Sequence, residues 1–218
     1  MAADYSRRFY DEIRSGAVAS AAAVVPRLFE LVQPARVIDV GCGEGHWLLA
    51  FEELGAEVIG LDGSYVTSSP LGDRFIPHDL STPLLAHLAG RFDLALSLEV
   101  AEHLPPARAA GFVRDLCQLA PVVVFSAAIP GQGGTGHVNE QWPRYWTELF
   151  EAEGFAVSGA LRFELWEDDR VENWYRQNLL VAVAPSAAAR PELAELLASP
   201  LAPPWPIVHP VLYNARRS

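Results

Sequence analysis

Basic residues are scarce in this sequence, and that scarcity narrows the field first. Sixteen basic residues face 27 acidic ones, a formal net charge of −11. Proteins that grip nucleic acid neutralise phosphates with a basic face, and no basic run here exceeds a pair such as Arg216-Arg217. No nucleic-acid partner is expected. Cysteine is scarce too. Cys42 and Cys117 are the only two, too few for a disulfide framework; Cys42 sits in a glycine loop that suits a small side chain. Long apolar runs are also missing. The stretch "AVASAAAVV" is too short to span a bilayer and runs into Pro26-Arg27, and the opening "MAADYSRRFYDEIRSG" lacks the apolar core of a signal peptide. The expectation is a cytoplasmic protein with no membrane association, a monomer or homodimer, and without internal repeats.

What is present suits one well-buried domain with a small appendage, since 50% of the 218 residues are hydrophobic. Residues 4–32 read as two helical pieces split near Gly16, with Phe9, Ile13, Val24, Leu28 and Leu31 at helical spacing. From Pro34 the pattern changes to short apolar runs without polar alternation, as expected for strands buried on both faces. Five such runs are "RVIDV" (36–40), "EVIGLD" (57–62), "RFIPHD" (74–79), "FDLALSL" (92–98) and "VVVFSAA" (122–128). "FAVSGALRFEL" (155–165) and "QNLLVAVA" (177–184) add two more. Helical stripes lie between them: Trp47, Leu48, Phe51 and Leu54; Phe112, Val113, Leu116 and Leu119 after Pro105-Pro106; Trp142, Tyr145, Trp146, Leu149 and Phe150. Alternating strands and helices predict an α/β fold with a mostly parallel sheet covered on both sides. About a dozen residues with no helix pattern separate the last two runs, which predicts a hairpin-like finish and one antiparallel strand. Beyond Pro185 the Ala- and Pro-rich sequence predicts a short helix (191–198) and an irregular tail.

The segment "VIDVGCGEGHW" (37–47) carries the strongest functional signal. A strand running into spaced glycines lets a nucleotide approach the backbone, and Asp62, 21 residues beyond Gly41, ends the next strand where ribose hydroxyls are bound. The dinucleotide pattern G-x-G-x-x-G is not met, because the chain has Gly41, Gly43 and Gly45 with His46 in place of the third glycine. No Gly-Lys-Ser/Thr follows, so a phosphate-cradling loop is also absent. Asp39 and Glu44 would repel a pyrophosphate but suit a cation. The donor this favours is S-adenosylmethionine (SAM), with its sulfonium and amino group.

These residues resemble the class I SAM-dependent methyltransferases over roughly residues 35–185. "VIDVGCGEG" resembles the family's glycine motif, "VIGLD" its ribose-binding acidic motif, "PHDLS" the segment that meets adenine through Asp79, and "FDLALSLEVAEHLP" the fourth-strand motif. The resemblance implies a Rossmann-like fold with a seven-stranded sheet whose last strand is antiparallel. It implies a cofactor site of Asp39, Gly41, Gly43, Gly45, Asp62, Gly63, Asp79, Leu80, Leu98 and Glu99. It also divides the chain into an N-terminal helical lid (1–34) bearing Tyr5, Arg8 and Tyr10, a SAM-binding domain (35–185) and a C-terminal tail (186–218).

Methyl transfer asks the protein to position an acceptor and, for a hydroxyl or amine, to remove a proton. Histidine suits that task near neutral pH. His103 follows the fourth strand, where it can serve catalysis or pack as a capping residue. His137 lies in "GQGGTGHVNEQW", a glycine-rich loop expected to overhang the sheet's carboxyl edge. The remaining histidines read as structural. Glu99, Glu102 and His103 also resemble the Glu/Glu/His set of ubiquinone-type O-methyltransferases, which implies a divalent cation. Trp166 and Trp174 lie in "LWEDDRVENWYRQN" and either line an acceptor pocket or pack as a flap; Trp174, Arg176 and Asn139 are the candidate acceptor contacts. The leading expectation is methyl transfer to an oxygen or nitrogen of a small, metabolite- or sugar-like molecule. The alternatives are an enzyme that uses SAM for cyclisation or elimination, releasing methylthioadenosine, and a binding domain. The complete cofactor set argues against the last.

Overall fold

The computed structural model describes residues 7–215, with side chains from residue 15 onward. Seven strands form one sheet: β1 (Arg36–Val40), β2 (Glu57–Asp62), β3 (Phe75–Pro77), β4 (Leu94–Leu98), β5 (Val122–Ser126), β6 (Ala156–Ser158) and β7 (Leu180–Val183). Their order is β3-β2-β1-β4-β5-β7-β6. β7 runs antiparallel to both β5 and β6, and the other pairs are parallel. The order reverses between β1 and β4, so their carboxyl ends open the crevice in which α/β sheets bind ligands.

Eight helices accompany the sheet among the described residues: α1 (Arg7–Val32), α2 (His46–Glu53), α3 (Ala109–Leu119), α4 (Pro143–Ala152), α5 (Leu161–Leu165), α6 (Asn173–Asn178), α7 (Pro191–Ala198) and α8 (Pro210–Ala215). The strands are apolar throughout because successive residues enter different cores. Val37, Leu94, Val122, Val124 and Val181 join side chains of α1, α2 and α7 on one face. Ile38, Ala95, Val123, Phe125 and Ala182 join α3 and α4 on the other.

Several elements depart from the sequence-based expectations, each for a local reason. The N-terminal segment is one helix that passes through Gly16 and Pro26. Gly16 is a close-approach point and not a break: a methyl group there would lie 2.0 Å from Glu172 Oε1, and Ser20 Oγ donates to the Gly16 carbonyl (2.7 Å) while accepting from the Glu172 N–H (2.9 Å). Because the helix continues, Ser15–Val32 is long and apolar enough by composition to cross a membrane, although 39% of it is buried. Val24, Val25, Leu28 and Leu31 are core residues, as in any helix packed on a sheet.

The run 155–165 splits into a three-residue β6 and the helix α5, where Leu161 and Leu165 are buried one turn apart. Gln177 and Asn178 end α6 instead of opening β7, so the connection between the last strands holds two short helices. Trp142 precedes α4 and is 41% exposed, whereas Trp146 is buried. The tail adds α8 beyond the expected α7. Tyr5 lies outside the described residues, as do Arg216 and Arg217, and so do the side chains of Arg8 and Tyr10.

Candidate active site

β1 delivers Asp39 and the glycine loop to the carboxyl edge of the sheet. The Gly41 and Cys42 N–H groups donate to the Leu61 carbonyl (2.7 and 3.1 Å), fastening the loop to β2. Gly41 has φ 89°, and a methyl there would lie 2.3 Å from Val100, so glycine is required twice over. A methyl on Gly43 would meet nothing within 4 Å; the loop is open where a ligand would lie. Gly45 caps α2 from the left-handed region.

Asp62, at the end of β2, is buried. Its Oδ2 accepts from the Gly43 N–H (2.7 Å) and its Oδ1 from the Gly63 N–H (2.6 Å). Tyr65 donates its hydroxyl to the same Oδ1. Burial and Asp62 raise the Tyr65 phenol above its ordinary value, which keeps it a donor.

Two adjoining cavities line this edge. One, of about 450 Å³, is bordered by Asp39, Gly41, Gly43, Trp47, Leu98 and Tyr175. The other, of about 520 Å³, is bordered by Asp62, Gly63, Asp79, Leu80, Glu99 and His103. Gly41, Gly43 and Tyr65 border both. The residues expected around the cofactor are thus brought together, apart from Gly45, which sits against Leu71. Asp79 is exposed and accepts from the Ser81 N–H (3.0 Å), which lowers its pKa.

Asp39 supplies the test of fit for a cationic donor. It is 3% exposed, and its Oδ1 is buried with no hydrogen-bond partner. Burial first, then the charge of Asp62, pushes its carboxyl up to about 7. An orphaned carboxylate oxygen beside open space over Gly43 fits a ligand carrying positive charge.

Beyond β4 the chain turns sharply. Glu99 has φ 56°, an uncommon conformation for a residue with a side chain, and its N–H donates to the Ser126 carbonyl (3.0 Å). Its carboxylate accepts from Asn178 Nδ2 (3.0 Å) and Gln132 Nε2 (2.7 Å). Burial raises Glu99, against the pull of these amides.

The next turn places His103 beside His137, ring centroids 4.8 Å apart and nearly perpendicular. His137 Nδ1 lies 2.9 Å from Glu140 Oε1. Burial works to raise Glu140, but His137 and the N–H groups of Gly131 (2.7 Å) and Gly133 (3.0 Å) hold it below its usual range. Burial and His137 lower His103.

Glu102 is fully buried beneath this pair, with both carboxylate oxygens unpartnered. Burial and the neighbouring Glu99 push it up to about 9. One ligand atom each from Glu102, His103 and His137 falls within 4.8 Å of the others. The cation set implied by resemblance was Glu99, Glu102 and His103. The chain instead ties Glu99 to amides and offers His137 as the third donor.

The other candidate acceptor residues are more dispersed. Arg176 is buried and bonds to the Trp166 carbonyl (3.2 Å) and Asp169 (3.1 Å). Trp174 packs edge-on against Tyr175, and Trp166 packs on Phe163 and His209. Asn139 is buried; its N–H donates to the Glu102 carbonyl (3.0 Å) and its Oδ1 accepts from Gln141 (3.1 Å). Sequence reasoning missed Tyr65, Gln132, Gln177 and Glu140. The only hint for Gln177 was a polar pair, Gln177-Asn178, abutting an apolar strand.

Comparison with known proteins places this geometry among relatives. A family model described as a methyltransferase domain matches residues 10–157. The ubiquinone biosynthesis O-methyltransferase of Rhodopseudomonas palustris (strain BisA53) is 25% identical over 190 residues, covering 83% of this chain and 68% of that protein. Streptomyces venezuelae DesVI superposes with a TM-score of 0.59 at 15% identity, over 84% of this chain and 98% of that one. Magnesium protoporphyrin IX methyltransferase (ChlM) from Synechocystis PCC 6803, solved with bound SAM, gives a TM-score of 0.56 at 22% identity, over 80% and 82% of the two chains. At these identities the structural likenesses speak to the fold alone.

Proposed function

The chain belongs to the methyltransferase-domain family and is a SAM-dependent methyltransferase; from that premise we propose that it methylates an oxygen or nitrogen of a small molecule, with His137 as the proton acceptor. The observation that carries this reading is the His103–His137 pair, oriented by Glu140, at the rim of the cofactor crevice. The relative's O-methyltransferase name supports trying oxygen acceptors first.

Bound SAM supplies an activated methyl group. Asp62 and Asp79 would hold its ribose and adenine, Asp39 would face its cationic end, and Leu98 and Glu99 would border the methionine part. The chain's own work is then to align the acceptor and hold its proton. An ionised Glu140 accepting from His137 Nδ1–H leaves Nε2 as the basic nitrogen. The small cavities and the net charge of −11 favour a small acceptor over nucleic acid, and a cytoplasmic setting fits the reduced cysteines.

The test is mass spectrometry after incubation with SAM and candidate acceptors. Growth of a product heavier by one methyl, with S-adenosylhomocysteine (SAH), supports the reading. Methylthioadenosine in its place would assign the chain to intramolecular chemistry.

Asp39 gives a pH signature. Its carboxyl is neutral below about 7 and ionised above, and a cationic ligand prefers the ionised form. Cofactor affinity is therefore expected to be about tenfold weaker at pH 6 than at pH 8, measured by calorimetry. In Asp39→Asn the affinity should be lower and this dependence absent; a dependence that survives the substitution removes Asp39 from the site.

A divalent cation, if the enzyme uses one, would be held by Glu102, His103 and His137, two imidazole nitrogens and a carboxylate. Loss of turnover in chelator, restored by magnesium or manganese and abolished in Glu102→Gln, is the expected result for such an ion. Turnover indifferent to chelator removes it.

A further inference from the structure

We propose that Gln177 is a positioning residue, transmitting hydrogen-bond polarity from the docked C-terminal segment to Glu99 at the methyl-transfer end of the crevice. The proposal rests on the reading above that Glu99 borders that end. It is carried by a chain of side-chain amides whose orientation is fixed from outside.

A glutamine or asparagine amide can be turned over, exchanging its oxygen and nitrogen, so its neighbours decide which way it faces. At the outer end of this chain stands the backbone N–H of His209, which can only donate. It lies 2.8 Å from Gln177 Oε1, so Gln177 must turn its Nε2 inward. That nitrogen donates to Gln132 Oε1 (3.2 Å) and Asn178 Oδ1 (3.0 Å). With those oxygens engaged, Gln132 Nε2 and Asn178 Nδ2 are left to face Glu99, at 2.7 Å from Oε2 and 3.0 Å from Oε1 respectively. Every link runs from N–H to oxygen, beginning at a tail amide and ending at a carboxylate. Gln177 is 0% exposed, so water does not compete for its groups.

The tail that supplies the first donor is held firmly. Arg162, also 0% exposed, donates Nη1 to both the Gln177 carbonyl (3.2 Å) and the Trp205 carbonyl (3.0 Å). The Gly159 N–H donates to the Ala202 carbonyl (2.7 Å), and His209 Nε2 lies 3.1 Å from the Trp166 carbonyl. Residues 202–209 are thus part of the acceptor side of the site. Burial would favour the neutral form of Glu99, and the two amides oppose it. If Gln177 stops dictating their orientation, the donors leave and burial acts alone.

The test uses full-length protein with its glutamates labelled at the carboxyl carbon, the Glu99 signal being identified by its absence in E99Q. In Gln177→Met, similar in length but unable to link His209 to the amides, the Glu99 titration midpoint is expected to rise by about one pH unit or more. His209→Ala removes the imidazole but keeps the backbone N–H, and the midpoint should stay where it is. SAH affinity by calorimetry should change by less than about threefold in Gln177→Met, since the cofactor's own contacts are untouched. An unmoved midpoint in folded Gln177→Met overturns the proposal, and so does an equal shift in His209→Ala. If Gln177→Met does not fold, Gln177→Glu, which still accepts from His209 but cannot donate once ionised, carries the same expectation and the same overturning result. A methylated product together with an unmoved midpoint defeats the coupling alone. A moved midpoint with no SAH formed from any acceptor defeats the functional reading and leaves the coupling standing.

Discussion

His137→Ala is expected to lower turnover by about 10²–10⁴-fold while leaving SAM affinity nearly unchanged, the range seen when a general base is removed. The size follows from how the ring is held. Glu140 receives two backbone N–H groups and the imidazole, so it stays ionised and keeps the Nδ1 proton on its own side of the ring. Removing the ring removes the base outright. Glu140→Gln should cost less, about tenfold, because an amide oxygen still accepts from Nδ1 but no longer stabilises the imidazolium that forms. His103, 4.8 Å away, is the natural substitute, and its lowered pKa keeps it neutral and basic near pH 7. The order of damage is therefore informative. Initial rates of SAH release with the identified acceptor should rank His137→Ala below His103→Ala. The reverse order moves the role to His103, and full turnover in His137→Ala ends the assignment.

The parts legible in the sequence were those whose reason for existing is local. β1, β2, β4 and β5 announce themselves because residues on both faces are buried, which leaves runs such as "VVVFS" with no polar member until the end. The glycine loop and Asp62 are legible because backbone approach to a ligand demands particular residues at particular spacing. α5 was hidden because five residues are too few for a helical period to stand out from an apolar run. Gly16 misled because its reason is a tertiary contact with Glu172, which no local pattern records. The amide chain was invisible for the same reason on a larger scale. It joins residues 99, 132, 177, 178 and 209, and nothing in their spacing anticipates that a tail amide will face a glutamine. Glu102 shows the same limit: its letters were read, but its burial beneath two imidazoles was not.

Asp62→Ala should weaken SAM binding by about 1–3 kcal/mol, roughly 5- to 150-fold, through loss of charge-assisted hydrogen bonds to the ribose. The carboxylate does more than meet ribose. It anchors Gly43 and Gly63 through their N–H groups, so its loss also frees the loop that the cofactor must lie against, and the upper part of the range is expected. Asp62→Asn keeps the shape but sets an NH₂ group against one of those N–H donors, and should fare little better. Tyr65 provides the opposing sign. Its hydroxyl bonds the same Oδ1 that a ribose hydroxyl would use, so the cofactor must displace it on entry. Tyr65→Phe removes that competitor and should tighten binding by about 2- to 10-fold, the worth of one ordinary hydrogen bond. Calorimetry on the folded variants measures both. General damage to the crevice would weaken binding in each case, whereas opposite shifts follow only if both residues act on one shared oxygen. Wild-type affinity in a folded Asp62→Ala would mean that the ribose is held elsewhere.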